Sequence, residues 1–360
     1  MSDNTPKLYI AGMGMITPVG GNVAMTVASV EAGISAYQAS YFITSADEKI
    51  TMARVPDEMI GEFKGNIDEG SRFNIRHDRV IRIAILALQQ ACSQCTTEQA
   101  VPLLLAMPDV NTDNEGLSSF VGNLANNLKP WVNPAISRSM YSGRASGMEA
   151  IAFAFQYFFD TQYPYIIVGG SDSHEDSARL VPLDNDNRLL TLGAGDAFAP
   201  GEGASFLILT PRIALAQQRS GQVIALSAPG ISDEPGHLFS EESYRGNGLD
   251  QAFKNALIGQ QENSIHSIYS SMNGENYWAK EYGVAYLRHR KMFKDPVRVE
   301  HPADCYGDLG CATATTLIAL AAEHLFKNSN VQAHLVYSSS DTAKRGAIVV
   351  EKINAAVQVS

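Results

Sequence analysis

Few places in this 360-residue chain combine residue type and spacing in a way that could do chemistry. Cys92 and Cys95 form a Cys-x-x-Cys, but no second pair and no His pair lies nearby, so the spacing points to reduced structural thiols rather than a metal or redox centre. His174-Glu175-Asp176, close after Asp172, supplies imidazole and carboxylates. Neighbours on one loop seldom converge on a single ion, and the expectation is a solvated loop with no metal. Asp184-Asn185-Asp186-Asn187 alternates acids as a calcium loop does but lacks the glycine and the distal glutamate in register, so turn chemistry accounts for it. Gly12-x-Gly14 could open a dinucleotide loop, yet Thr17 stands at the third glycine position and Pro18 follows where the phosphate-binding helix should begin. None of these motifs implies a cofactor.

Composition narrows the partners. A formal charge of −11 and a pI near 5.2 oppose attraction to nucleic acid or an anionic membrane, and the basic run Arg288-His289-Arg290-Lys291 reads as a solvated face. The start of the chain has no apolar core of signal-peptide type, and no stretch reaches the ~20 apolar residues of a membrane span, which predicts a cytoplasmic protein. With 45% apolar residues, and Gly and Pro spread along the chain, one compact α/β protein is expected.

The elements that would position any site are legible as patterns. Leu8 to Ile16 is an apolar strand running into the Thr17-Pro18-Val19-Gly20 turn. From Arg79 to Gln94, Val80, Ile83, Ala84, Ala87, Leu88 and Ala91 recur with helical period and describe one buried face. Ala145–Phe159 and Cys311–Leu325 are apolar on most sides, as enclosed helices are, and the first leads into the strand Tyr165 to Gly170, suited to cover on both faces. After Gly201-Glu202-Gly203-Ala204 a new apolar strand begins, and Pro211 to Arg219 reads as a helix. The pattern thus restarts midway, giving two halves, 1–200 and 201–360, of one compact unit.

In order and over nearly the whole chain, these segments resemble the β-ketoacyl synthase branch of the thiolase superfamily. The resemblance rests on Gly12-Met13-Gly14 with Thr17-Pro18-Val19-Gly20, on Ser142-Gly143-Arg144-Ala145-Ser146-Gly147 before an apolar helix and Ile166 to Gly170, and on Gly201 to Ala204. It implies a thiolase-like α/β fold, five-layered α/β/α/β/α, with two pseudo-symmetric halves, and a tight dimer joined through edge strands, for which the strand ending at Gly169-Gly170 is the candidate.

The family's condensation chemistry needs a thiolate at the amino end of a buried helix, two histidines and a glycine-rich turn. Aligned on the motifs, the nucleophile position is Arg144, the first histidine position Met272 and the second Gly307, while Ser338 to Asp341 replaces the turn. His266 and His301 stand elsewhere, and no other cysteine is expected in a comparable turn before a buried helix. Arginine accepts no acyl group, so Arg144 reads either as a buried plug paired with Glu149, Asp308 or Glu275, or as an anion-binding group.

The resemblance accordingly favours a chain without catalysis of its own: a subunit or adaptor, either chain-length-factor-like beside an active ketosynthase or an accessory factor for secreted effectors. It would act as a homodimer or as a heterodimer with a ketosynthase, in contact with an acyl carrier protein or an effector protein. A residual acyl-thioester enzyme of acyltransferase type using another base, and a ligand sensor using the old tunnel, remain as alternatives.

Overall fold

The structure is a computed structural model that describes residues 6–61, 63–67, 75–110, 112 and 120–358. The opening segment read for a signal sequence lies largely in residues 1–5, outside the described residues.

The chain runs through β1 (Leu8–Ile16), α1 (Val23–Glu31), β2 (Tyr37–Ile43), β3 (Lys49–Ala53), α2 (Asp57–Gly61), α3 (Ile75–Cys92), β4 (Leu103–Ala106), α4 (Phe120–Asn127), β5 (Arg138–Met140), α5 (Ser146–Asp160), β6 (Ile166–Ser173), α6 (Ser177–Asn185) and β7 (Glu202–Thr210). It continues through β8 (Gln222–Leu226), β9 (Gly230–Asp233), α7 (Asn247–Ala256), β10 (Ile265–Ser270), α8 (Asn276–His289), β11 (Phe293–Glu300), α9 (Ala303–Tyr306), α10 (Thr313–Lys327), β12 (Ala333–Ser339) and β13 (Lys344–Asn354).

Strand order exposes the internal repeat. The first sheet runs β5-β4-β6-β7-β1 and the second β11-β10-β12-β13-β8, so each half places its third, second, fourth, fifth and first main strands side by side. Directions repeat as well: β4 is parallel to β5 and β6, as β10 is to β11 and β12, and the next two pairings in each half are antiparallel. A short antiparallel contact of Leu8 and Tyr9 with Leu226 and Ala225 joins the two sheets.

Helix α3 covers β1, β6 and β7 from outside, α5 and α10 lie between the sheets, and α7 with α8 covers the second sheet. Five layers result. Strands β1, β6 and β7 are buried at every residue, which explains apolar runs without alternation. The glycines of β1 serve packing, not phosphate: a Cβ on Gly14 would lie 1.9 Å from the Ala87 carbonyl oxygen of α3.

Strand β7 completes the first sheet, pairing with β6 and β1. Two expectations are corrected. Pro211 to Arg219 contains only the 3-10 turn Ile213–Leu215, because Gln217 N–H donates to the Ile10 carbonyl and holds the segment along β1. The strand ending at Gly169-Gly170 is no edge, since β6 is paired on both sides; among the described residues the edge of the first sheet is β5.

Candidate functional site

Two equivalent turns lead into the central helices. Gly143–Ala145 is a 3-10 turn before α5, and Gly310–Ala312 is a 3-10 turn before α10; Gly143 and Gly310 adopt φ +62° and +53°, a region that glycine enters without strain. The first turn is held by Ser340, whose hydroxyl accepts from Ala145 N–H at 3.0 Å, and by Ser338, whose hydroxyl donates to the Arg144 carbonyl at 2.7 Å. The segment after β12 therefore does support this turn, although with serine hydroxyls in place of glycine backbone.

The turn delivers the Arg144 side chain, 5% exposed, into the interior. Its Nη1 donates to Asp308 Oδ2 at 3.1 Å and its Nη2 to Asp341 Oδ1 at 2.7 Å, while the guanidinium lies 4.2 Å from the centre of the Trp278 ring. Of the three anticipated partners, Asp308 is found. Glu275 instead takes Arg188 as a fork, at 2.7 and 3.0 Å, and Glu149 accepts from the Ser142 hydroxyl. Asp341 bridges the two arginines, its Oδ2 lying 2.8 Å from Arg188 Nη1.

Met272 and Gly307, the residues expected in place of the two histidines, each stand directly before a residue that reaches the centre. In both stretches the side chain that reaches the centre is one residue later. Asn273, not Met272, sends its amide to Asp308 at 2.9 Å and to Glu275 at 3.1 Å. Asp308, not Gly307, carries the functional group; Gly307 at φ +75° is the turn that aims it, and a Cβ there would stand 2.8 Å from the Ala199 carbonyl oxygen. The signals available in sequence were Gly274 directly after Asn273 and Gly307 directly before Asp308. His266 sits in β10, and His301 is a surface residue paired with Asp304 at 2.8 Å.

The electrostatics lock this arrangement. Burial pushes the Asp308 carboxyl up, but Arg144 foremost outweighs it and holds the group well below the usual carboxylate range. Burial disfavours the Arg144 cation, yet Asp308, Asp341 and Glu275 together raise its pKa. The centre thus offers an ionised carboxylate with no proton to give and a cation that releases none. The ion pairs are closed on one another.

The loop after β6 is not solvated. His174 and Glu175 are each 6% exposed; Glu175 meets Arg54 at 2.6 Å and Arg79 at 2.8 Å, and Asp176 caps α6. Asp184 belongs to α6 and accepts from Ser45 N–H at 2.7 Å. Cys92 is buried in α3, and the Cys95 thiol donates to the Ala11 carbonyl at 3.2 Å. Burial pushes these two thiols up to about 12 and about 11.

A cavity of about 260 Å³ opens above the centre. Its lining includes Arg144, Asp308 and Asp341 together with His174, Arg179, Phe198 and Phe239.

Neither a family model nor a curated protein sequence matches the chain. Solved structures do. The chain is similar to the ishigamide ketosynthase/chain length factor at 16% identity and TM-score 0.75, over 96% of this chain and 99% of that one. It is similar to a chain of a type II polyketide synthase acyl-carrier protein in complex with its ketosynthase, at 13% identity and TM-score 0.76, over 97% and 100%. A ketosynthase from module 6 of the bacillaene synthase of Bacillus subtilis 168 aligns at 14% identity and TM-score 0.73, over 96% of this chain and 72% of that one. The fold is therefore the thiolase-like fold of the ketosynthases.

Proposed function

We propose that the chain is a ketosynthase-like subunit without condensing activity, working as a non-catalytic partner or adaptor. The observation that carries this reading is Arg144 at the amino end of α5, paired with Asp308 and Asp341 over Trp278 where the family's chemistry requires a free thiol. The neighbouring side chains support it, since those that meet Arg144's partner Asp308 include the Asn273 amide, and neither Met272 nor Gly307, read at the histidine positions, carries an imidazole.

Within this reading the partner is a second copy or an active ketosynthase, with an acyl carrier protein or an effector protein docking on the pair. The likeness to a ketosynthase/chain length factor and to a ketosynthase structure that includes an acyl-carrier protein favours the polyketide or fatty-acid setting over effector handling. Strand β5 is the surface through which pairing would occur: it is hydrogen-bonded on one side only, to β4, and Tyr141 beside it is 43% exposed. Among the described residues no helix is long and apolar enough to cross a membrane.

The test combines sedimentation of the purified chain with pull-down from its host. A dimer, or a complex holding an intact ketosynthase, supports the subunit reading; a monomer that retrieves neither removes it.

A further inference from the structure

Three arginines, Arg144, Arg179 and Arg188, line the cavity and a fourth, Arg76, pairs with Asp172 of its lining; three of the four have a carboxylate within hydrogen-bond distance. Arg144 has Asp341 at 2.7 Å, Arg188 has Glu275 at 2.7 Å, and Arg76 has Asp172 at 3.1 Å. Arg179 does not. Its nearest carboxylate oxygen is Asp172 Oδ1 at 3.9 Å, and its buried Nη1 has no hydrogen-bond partner. Asp172 is already spent: Oδ1 accepts from Arg76 and from Ser173 N–H at 2.9 Å, and Oδ2 from Cys311 N–H at 3.2 Å. Burial, ahead of Arg76, lowers the Arg179 pKa despite Asp172, as expected of a guanidinium that has lost water without gaining a full partner.

A second group on the same cavity lacks a close hydrogen bond. His174 is 6% exposed and lines the cavity, and neither ring nitrogen has a hydrogen bond at bonding distance; Asp308, whose Oδ1 is 3.9 Å from Nε2, is its nearest carboxylate and interacts with it electrostatically. A buried imidazole and a buried guanidinium nitrogen without close partners each cost free energy unless something in the cavity receives their hydrogens. Pro182, Leu183, Phe198 and Phe239 give the cavity an apolar part, with Phe239 57% exposed, while Asp109 and Asp186 add acidic groups to the lining.

We propose that this cavity binds a small organic carboxylate, its head accepting from Arg179 Nη1 and a His174 ring N–H, its apolar body lying against Phe198 and Phe239. Arg144 is not the anion site, because Asp308 and Asp341 already occupy its two terminal nitrogens. The volume of about 260 Å³ falls below the ~300–1,000 Å³ of drug-sized ligands, so the ligand is compact, such as an aryl or short-chain acid. The inference stands apart from the subunit reading: a chain without a partner would still bind, and a subunit with an empty cavity would still pair.

Calorimetric titration of the full chain at constant pH and ionic strength, using benzoate and hexanoate beside benzamide, hexanamide and inorganic phosphate, tests it. The carboxylates are expected to bind and the amides to bind at least about tenfold more weakly, because the amide loses a charge-assisted hydrogen bond. Arg179→Gln should weaken benzoate by about tenfold or more, and Arg179→Lys by less, while Leu192→Ala, on the exposed surface, should leave it unchanged. Should Arg179→Gln fail to fold by circular dichroism, line broadening of benzoate on the wild-type chain, with and without competing hexanoate, supplies the readout. Equal binding of acid and amide, undiminished binding by Arg179→Gln, binding of phosphate alone, or no binding of either acid at millimolar concentration would each overturn the proposal.

Discussion

Arg144 and Cys311 occupy equivalent places in the two halves of the molecule, each the middle residue of a Gly-x-Ala 3-10 turn that feeds a central helix. A cysteine thus does lie in a comparable turn, contrary to the expectation from sequence, but in the wrong half and the wrong environment. A helix amino end favours thiolate. Burial of Cys311, which is fully buried, together with the facing Asp172, wins and pushes its thiol well above the ordinary value, and its Sγ donates to the Ser171 carbonyl.

The chain should therefore form no acyl-enzyme. Incubation with acyl thioesters followed by intact-mass measurement is expected to show the unmodified mass, and alkylation of the native protein should spare Cys311. An adduct on Cys311, or on Ser142, whose hydroxyl donates to the Glu149 carboxylate, would show that a nucleophile had been overlooked.

Arg144→Cys is expected to lose stability without gaining condensation. The substitution leaves buried Asp308 with Asn273, the Gly310 N–H and the more distant His174, and breaking a buried ion pair costs about 3 kcal/mol, softened here because Asp341 keeps Arg188 and is partly exposed. Urea unfolding should register the loss, and a ketosynthase assay should remain blank, since Asn273 and Asp308 are no substitute for two imidazoles. Turnover in this single variant would mean that some other group serves as the base.

How much of this was legible in sequence differs by kind of information. Enclosed helices announce themselves through apolar residues on all sides, so α5 and α10 were found within two residues of their starts. Motif order gave the Arg144 turn. What sequence does not report is side-chain direction in irregular segments: Asn273 lies beyond the end of β10 and Asp308 just after α9, and one residue separates them from Met272 and Gly307. The bridging role of Asp341 and the fork from Arg188 to Glu275 join residues 153 and 87 positions apart, a distance at which no local pattern speaks. The edge strand was misjudged for a related reason, since a fully apolar run reports cover on both faces and says nothing of what pairs alongside.

Acid should destabilise the fold in part through His334. This ring is fully buried, 3.0 Å from His324 and edge-on to Tyr269; burial first, then His324, push its pKa down to about 3. A histidine with a depressed folded pKa contributes stability that is full above the unfolded value near 6.5 and is lost as pH falls toward 3. At pH 5 the loss from this residue is on the order of 2 kcal/mol. Urea midpoints at pH 7.5 and 5 should differ more for the wild type than for His334→Phe, and parallel pH profiles would show that the acid sensitivity lies elsewhere.

If β5 carries the dimer, a charge beside it should open the pair. Tyr141→Asp places a carboxylate next to the strand, at a position whose side chain is already partly exposed in the monomer, so the fold should tolerate it. Analytical ultracentrifugation is expected to show dissociation at least about tenfold easier than for the wild type, with an unchanged melting profile of the monomer. A variant that stays as dimeric as its parent would move the interface away from β5.

A close approach of the two central helices should tolerate one methyl group but not two. A Cβ on Gly147 in the first turn of α5 would lie 2.9 Å from the Ala314 Cβ of α10, tighter than van der Waals contact allows, and both residues are buried. Gly147→Ala gains up to about 1 kcal/mol of helix propensity, while overpacking costs about 1–3 kcal/mol, so the single variant should be less stable. Ala314→Gly alone should also be less stable, through lost propensity and lost packing. Together the two substitutions move the methyl from one helix to the other and leave propensity unchanged, so the double variant should unfold at a higher urea concentration than the sum of the single losses allows, by about 1 kcal/mol or more. Simple additivity would mean that the helices separate locally to accept the extra carbon, and that the contact between Gly147 and Ala314 does not set their spacing.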